Sequence, residues 1–502
     1  MEVLMTSQQI KNIENSAFAD GVAVELLMDR AGSALAEEVK KAVENRTHEN
    51  LLVLCGKGNN GGDGFVAADK LTEFFKTVYV YMPFGLPKTR RRSNAFEKMN
   101  KAVKITEDLA ILKDCDTVID RLFGFSFHGN VNRQTAEIIK TVNLSEAFVI
   151  SADVPSGLEC NSGKIGGDCI NADVTVTFSA SKPMEIISSG AEKCGKIIVK
   201  SVGLEEYIEE AVKNGDYYGQ KADIEYIKDN IPTRSDYSNK GTFGKLLCVT
   251  GSYGMPGAAV MSAGRALKSG TGLLYQVTGR ENYPIYAVAM PQAVMIFEED
   301  LQEKIKAASA VLLGCGLGMD EDAESKVKRV LSSDKPVVID ADGLNILAKH
   351  LEYRELYKAD KLIITPHPGE AARLLNTEIR RILADPAGRA AALSEKYDCT
   401  AVLKGAVTVI KEKNKKTVFA GKPNSGLAKG GSGDVLAGII SSLLAQGNGC
   451  FTSRVAGVLI HRQAGKICRT KYTARGMQAV DLINRLPEVF KIRNNCHRRC
   501  KL

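Results

Sequence analysis

No two cysteines in this chain stand as CxxC, although twelve are present among its 502 residues. They fall singly, and the six histidines show no paired metal spacing. A zinc site and a disulfide framework are both poor readings of that pattern, and reduced, mostly buried thiols in the cytosol are expected. Long apolar runs are also missing. Nothing approaches the ~18 residues of a membrane-spanning helix, and the first seventeen residues lack the apolar core of a secretion signal. Neither secretion nor membrane insertion is expected. Net charge is scarce outside one segment: of the formal +8, five charges lie in the acid-free stretch 491–502, leaving +3 for everything before it. That stretch reads as a solvated basic tail, and a nucleic-acid footprint is not expected.

What is present is ordinary for a globular chain, with 44% hydrophobic and 25% charged residues. Intrinsic disorder, collagen and coiled coil are poor explanations of the whole. At about 150 residues per domain the length argues most economically for two large domains. Short apolar runs ending in glycine-rich or polar loops recur at 51–55, 78–81, 117–120 and 148–153, each followed by helical spacing. That alternation predicts β-α units around a parallel sheet. A second series follows at 246–250, 273–277, 310–313, 337–340, 362–365 and 401–403, with different loop motifs. Two distinct α/β domains are expected, with the boundary near 215–235. In open parallel sheets ligands bind at the carboxyl ends of the strands, so function is sought in the loops that follow these runs.

In the first half, the run 51–55 leads into Gly56-Lys57-Gly58-Asn59-Asn60-Gly61-Gly62-Asp63-Gly64 and then a helical pattern. Glycines let the backbone approach a ligand, and amides at a helix start favour an anion. Glycines alone would equally serve a tight turn, but Asn-Asn and Asp favour a polar ligand. Two more loops follow strands, Asp120-Arg121-Leu122-Phe123-Gly124-Phe125-Ser126-Phe127-His128-Gly129-Asn130 and Asp153-Val154-Pro155-Ser156-Gly157-Leu158. Singly, each Asp would serve as a helix cap. Converging at adjacent strand ends, the three loops would supply oxygen ligands for a hard cation and a carboxylate for proton transfer.

The second half offers Gly251-Ser252-Tyr253-Gly254-Met255-Pro256-Gly257-Ala258-Ala259, with proline at a predicted helix start, and Gly314-Cys315-Gly316-Leu317-Gly318, which alone is no more than a turn. Asp340-Ala341-Asp342-Gly343-Leu344-Asn345 and Thr365-Pro366-His367-Pro368-Gly369-Glu370 add polar strand ends. The most informative stretch is Asn424 to Gly438, containing Gly430-Gly431-Ser432-Gly433-Asp434. Consecutive glycines opening a helix make an anion hole for a transferring phosphoryl group, and an Asp in the first turn can take a proton from an attacking hydroxyl. Lys404-Gly405-Ala406-Val407-Thr408, between two strand-like runs, would contact nucleotide phosphates or ribose; a solvated hairpin lysine is the alternative.

These motifs together resemble the bifunctional NAD(P)H-hydrate repair enzymes, in which an epimerase domain is fused to a nucleotide-dependent dehydratase domain, and the match covers nearly the whole chain. GNNGGDG at 58–64, the Asp120 loop and DVPSGL at 153–158 are similar to the epimerase part; GSYGMPGAA, DADGLN, TPHPGE and GGSGDVLAG are similar to the dehydratase part. The resemblance implies a Rossmann-like three-layer α/β domain over 1–215, a linker over 216–235, a ribokinase-like α/β domain over 236–490 and the tail 491–502. It implies that Asn59, Asn60, Gly61, Gly62, Asp63, Gly124, Phe125, Ser126, Phe127, His128, Gly129, Asn130 and Asp153 hold the hydrate, and that Asn60, Asp120 and Ser156 bind potassium. In the other half Ala258, Gly318, His367 and Asp434 match hydrate-contacting positions, and Lys404, Gly405, Ala406, Val407, Thr408 and Gly433 match the ADP site. Two departures stand out. The family's Thr-Gly after Asp-x-x-Leu/Phe-Gly is Phe125-Ser126, which bears on the loop from Gly124 onward, and its proline in Gly-Pro-Gly-Leu-Gly is Cys315, for which little consequence is expected.

The implied activity is metabolite repair. Hydrated NADH or NADPH carries a hydroxyl beside the ring nitrogen, and phosphorylating it from ADP or ATP, with ADP expected and magnesium present, turns a poor leaving group into a good one. Asp434 is the implied base for that hydroxyl. One fixed base serves only the S epimer, so the other domain interconverts R and S, with Asp153 as candidate acid/base and Asp63 as the alternative. Small-molecule substrates, a cytoplasmic location, a homo-oligomer and no nucleic-acid or membrane partner complete the expectation. Two rivals remain at this stage: a small-molecule kinase in the second half, and an RNA- or nucleotide-binding module in the first, favoured only by Arg90, Arg91, Arg92 and the tail.

Overall fold

An apolar residue at every position from 51 to 55 suits a strand covered on both faces. In the computed structural model, which describes residues 1–57, 59–86 and 90–497, Leu51, Val53 and Cys55 join one hydrophobic cluster, and Leu52 and Leu54 join another. In chain order the strands are β1 (Glu2–Leu4), β2 (Asn50–Cys55), β3 (Thr77–Tyr81), β4 (Lys104–Thr106), β5 (Thr117–Arg121), β6 (Phe148–Ala152), β7 (Val174–Phe178), β8 (Lys196–Lys200) and β9 (Gly219–Ala222). The chain divides into two units, Val3–Gly219, and Gln220–Leu502 together with Met1–Glu2.

The first unit is built on a seven-stranded sheet of order β4-β3-β2-β5-β6-β7-β8, parallel throughout. Helices Ser7–Ala19, Val24–Val43 and Asn59–Lys70 cover one face through Ile10, Ile13, Leu35, Val39 and Phe65. Arg133–Leu144 covers the other through Ile138, Ile139 and Val142. The chain starts this sheet in the middle at β2 and later returns to β2's other side with β5, so the crevice for a ligand opens between them. Gly56 shows how tightly that crevice is closed below. Its N–H donates to Arg121 O at 3.0 Å, and a Cβ there would lie 1.8 Å from Leu122 O. Gly56→Ala should therefore lower stability by roughly 1–3 kcal/mol or more, read as a fall in the denaturation midpoint, because backbone rather than a flexible side chain must give way.

The second unit adds β10 (Lys245–Val249), β11 (Leu273–Val277), β12 (Val294–Ile296), β13 (Ala310–Leu313), β14 (Val337–Ile339), β15 (Leu362–Ile364), β16 (Thr400–Leu403), β17 (Thr408–Lys411) and β18 (Thr417–Ala420). They run in the order β18-β17-β16-β15-β14-β13-β10-β11-β12. Pairing is parallel from β16 to β12, and β17 and β18 extend it as an antiparallel hairpin. Helix Ser432–Ala445 is buried at nearly every position, as its all-round apolar sequence requires. With Pro256–Lys268 and Cys450–Gly476 it covers Leu246, Cys248, Leu312, Val338, Ile363 and Val402. The order reverses between β10 and β13, where Gly251 N donates across to Cys315 O at 2.8 Å. Both units are of the expected α/β class. The stretch 216–235 carries β9 and the helix Glu225–Asn230, and the basic stretch begins inside the helix Ala479–His497; its residues 498–502 lie outside the described residues. Among the described residues, ten cysteines are unpaired and all but Cys450 are buried, and no helix is long and apolar enough to cross a membrane.

Candidate active sites

The first crevice gathers charge in a row. Asp63, in the helix Asn59–Lys70, pairs with Arg121. The sequence pattern places Arg121 in a loop, but it is the last residue of β5, fully buried, and its guanidinium also donates to Ala152 O at 3.1 Å. Asp153 follows β6 with φ +72°, a left-handed conformation uncommon for a residue other than glycine. Its Oδ1 lies 2.8 Å from Lys182 Nζ, and Lys182 is fully buried. Burial pushes the Asp153 carboxyl up, but the charge and hydrogen bond of Lys182, with Arg121, more than offset this and hold it below the usual carboxylate range. The helix Ser7–Ala19 contributes Glu14, whose carboxyl is pushed up to about 7 by burial and by the charge of Asp153.

Beside this row Asp120 is completely buried. It accepts from Ser156 N and Ser151 Oγ, both at 2.8 Å, from Ser156 Oγ at 2.5 Å and from Leu122 N at 3.3 Å. All four donors are neutral, and burial drives its carboxyl up against them. Ser156 Oγ also accepts from Phe123 N at 2.9 Å, which ties the second and third loops together. Gly61 and Gly62 are buried at the start of their helix, Gly62 against Met28; Gly58 lies outside the described residues, as do the side chains of Asn59 and Asn60. Gly124 is buried, Phe125 packs into the core, and Phe127 stacks on Phe123 at 4.8 Å. Ser126, His128, Gly129 and Asn130 are exposed, with Gly129 N donating to Glu159 at 3.1 Å.

The second crevice concentrates several of the expected residues. Gly433 and Asp434 open the helix Ser432–Ala445, and a Cβ on Gly433 would lie 3.2 Å from Lys404 Nζ and 3.6 Å from Asp340 Oδ2. Lys404 Nζ is 2.7 Å from Asp340 Oδ1 and 3.8 Å from Glu370. Glu370 caps its own helix by accepting from His367 N at 2.7 Å, and burial pushes its carboxyl up to about 7. Exposed His367 sits above it, Nε2 3.4 Å away. Asp434 is pushed up to about 6, first by burial and then by Asp340; a hydrogen bond from the Cys315 thiol and the charges of Lys404 and Arg265 oppose the rise. A Cβ on Gly316 would meet Ala258 at 2.7 Å, and Gly318 N donates to Asp342 at 3.0 Å, so these two line the same crevice. Gly405 and Ala406 are exposed in the hairpin turn, with Val407 partly buried beside them. Arg462 donates to Gly405 O, and to Thr408 Oγ1 at 3.1 Å, holding that turn.

Comparison with known proteins matches both halves. The family profile described as NAD(P)H-hydrate dehydratase matches residues 246–488, and that described as YjeF-related protein N-terminus matches 24–184. The bifunctional NAD(P)H-hydrate repair enzyme Nnr of Coxiella burnetii is 34% identical, over 97% of this chain and 99% of its own length. Its namesake from Escherichia coli is 32% identical over 93% and 90%. The chain belongs to the bifunctional NAD(P)H-hydrate repair enzymes. Among solved structures, the ADP/ATP-dependent NAD(P)H-hydrate dehydratase of Bacillus subtilis, co-crystallised with ATP and Mg2+, is 28% identical. The match covers 55% of this chain and 99% of that one, with a TM-score of 0.49.

The two crevices also hold charged residues that the motifs did not single out. Glu14 comes from a helix and Lys182 from the cap of the short turn Pro183–Glu185 beyond β7, both far from any glycine loop, and the one signal for Lys182 is a lysine before proline. Asp340 and Glu370 stood inside recognised motifs without a role. Arg265 and Arg462 are helix residues with no local signature. Cys315, where the family pattern has proline, is fully buried between Gly314 and Gly316, both at positive φ.

Proposed function

We propose that 236–490 is an ADP-dependent dehydratase of the S hydrate and 1–215 the epimerase that supplies it, with 216–235 as linker and 491–502 as a tail. The convergence of Lys404, Asp340, Gly433 and Asp434 beside the carboxyl ends of β14 and β16 carries the first part. Asp434 takes the proton of the hydroxyl beside the ring nitrogen, and that oxygen attacks the terminal phosphoryl group of ADP, releasing AMP. Amides of 430–433 stabilise the charge in transit, while Lys404 and the turn through Gly405, Ala406, Val407 and Thr408 hold the nucleotide. Phosphate then leaves as the ring nitrogen pushes in its lone pair, and loss of a proton from the adjacent carbon restores the dihydronicotinamide. Ala258, Gly318 and His367 border the hydrate. Magnesium, carried on the nucleotide phosphates, would neutralise their charge.

In the epimerase half, ionised Asp153 takes the hydroxyl proton as the carbon–nitrogen bond opens to an aldehyde, the ring nitrogen receives that proton, and closure on the other face reverses both transfers. The resting ionisation set by Lys182 favours Asp153, since Asp63 is committed to Arg121. The oxygen-rich pair Asp120 and Ser156 fits potassium, with Asn60 as third ligand, and the ion would balance a buried carboxylate whose donors are neutral. The hydrate lies along Asn59 to Asp63, the loop from Gly124 to Asn130, and Asp153. A cytosolic homo-oligomer acting on small molecules alone belongs to the same reading.

The test is a mixed R and S hydrate of NADH incubated with ADP, followed by dihydronicotinamide absorbance and free phosphate. Full recovery with stoichiometric phosphate is expected; a stable phosphorylated product would instead mean a small-molecule kinase. The rate on S hydrate should be level near pH 8 and fall below about pH 6, roughly tenfold per unit, because Asp434 must be ionised to accept the proton.

A further inference from the structure

The loop that leads into the helix Ser432–Ala445 is ordered at both ends and exposed in the middle. Asn424 caps the short turn Ser425–Leu427 by accepting from Gly426 N at 3.1 Å, and Ala428 N donates back to Ser425 O at 3.1 Å. Ala428, Lys429 and Gly430 are then exposed, and a Cβ on Gly430 would meet no described atom within 4 Å. On that open side a phosphoryl group has room. Tight packing returns at Gly431, where a Cβ would lie 3.2 Å from Ala479 Cβ, and at Ser432, whose N donates to Lys429 O at 3.3 Å and whose Oγ lies 3.2 Å from His461 Nε2. Across the exposed stretch Lys429 makes a long tether. Its Nζ donates to Arg475 O at 2.6 Å and to Met477 O, at the end of the helix Cys450–Gly476. We propose that Lys429 is a positioning residue of the dehydration site, seating the exposed loop on the end of that helix so that the amides of Gly430 to Gly433 keep the spacing that phosphoryl transfer needs. The proposal rests on those amides being the phosphoryl hole.

The last carbonyls of a helix lack intrahelical partners and carry partial negative charge, so an ammonium is the favoured group there. The receiving end is itself held. The helix bends at Thr473, φ +65°, whose carbonyl accepts from Met477 N and whose hydroxyl accepts from Gly476 N, both at 3.2 Å. Met477 is buried, and its thioether packs against Gly426, where a Cβ would lie 2.2 Å from the sulfur. Loop and helix end therefore meet in order along both, with Gly426 on Met477, Lys429 on Arg475 O and Met477 O, and Gly431 on Ala479. Among these contacts, that of the exposed lysine can be removed without opening the core. The tether acts on the shape of the hole, whereas the bound nucleotide is held by Lys404 and the turn from Gly405 to Thr408. Charge develops on the transferring oxygens only in the transition state, so a displaced hole is felt in kcat before it is felt in KM.

The experiment compares Lys429→Met, which keeps the stem without the ammonium, and Lys429→Arg, which keeps a donor, with the full-length enzyme. Steady-state rates on S hydrate with ADP are measured beside hydrogen exchange of peptides spanning 424–433. In the methionine variant kcat should fall about ten- to a hundredfold, the loss expected when reacting groups are misplaced by ~1 Å, with KM for ADP and for hydrate within about twofold of wild type and exchange over 424–433 faster. Arginine, which can donate to the same two carbonyls, should return most of the rate and slow the exchange. Unchanged exchange in Lys429→Met overturns the proposal. So does a rise in both KM values that arginine does not correct, the mark of a general loosening of the fold. Faster exchange with kcat unchanged overturns instead the assignment of the 430–433 amides to the phosphoryl group.

Discussion

Asp434→Asn should abolish recovery of NADH from the S hydrate, with a loss of about 10²–10⁴-fold at pH 8, while R-to-S exchange continues at the wild-type rate. The size of the loss follows from what the carboxylate does. With its carboxyl pushed up to about 6, Asp434 is mostly ionised near pH 8 yet remains basic enough to accept the hydroxyl proton as phosphorus is attacked. An amide of the same shape preserves the helix start, so the fold is not at stake, but it cannot take a proton. ADP binding should persist, because Lys404, Arg462 and the turn from Gly405 to Thr408 are untouched. Isothermal titration with ADP separates the two effects. A variant within about tenfold of wild type would show that the base is another group, with Asp340, which faces Asp434, the next carboxylate to test.

The division between what was legible and what was not follows chain geometry. Glycine-rich strand ends are local, so the loops after β2, β5, β6, β10, β13 and β16 and the helix opening at Ser432 could be picked out from residue types alone. Reversal points could not, because β2 beside β5 and β10 beside β13 are facts of sheet order. The electrostatics was hidden for the same reason. Asp153 gains its meaning from Lys182 beyond the next strand, Asp63 from Arg121 on a neighbouring strand, and Asp434 from Asp340, Lys404, Arg265 and Cys315 on four separate elements. No spacing rule links such partners, since each is delivered by its own β-α unit. The apolar alternation that identifies strands also conceals Arg121, a charged residue completing an apolar run whose burial is intelligible only once Asp63 and Ala152 O are seen to receive it.

Asp153→Asn should remove R-to-S exchange by about 10²–10⁴-fold and leave dehydration of S hydrate intact. With a mixed substrate and ADP, absorbance should then rise quickly to the S fraction and stop. Backbone strain does not confuse the result, because at φ +72° asparagine is tolerated as well as aspartate. Charge does matter, since the substitution strands Lys182, which is completely buried with its Nζ 2.8 Å from the lost carboxylate. Removing one partner of a buried pair costs roughly 3–5 kcal/mol, so the single variant should melt lower. Combining Asp153→Asn with Lys182→Met removes the unpaired ammonium and should return most of that stability without returning exchange. Recovery of stability and activity together would mean that the pair serves only the fold, and Asp63 would then be the carboxylate to test. Recovery of stability alone separates the two roles of Asp153, the ion pair that keeps it charged and the proton transfer for which that charge is held.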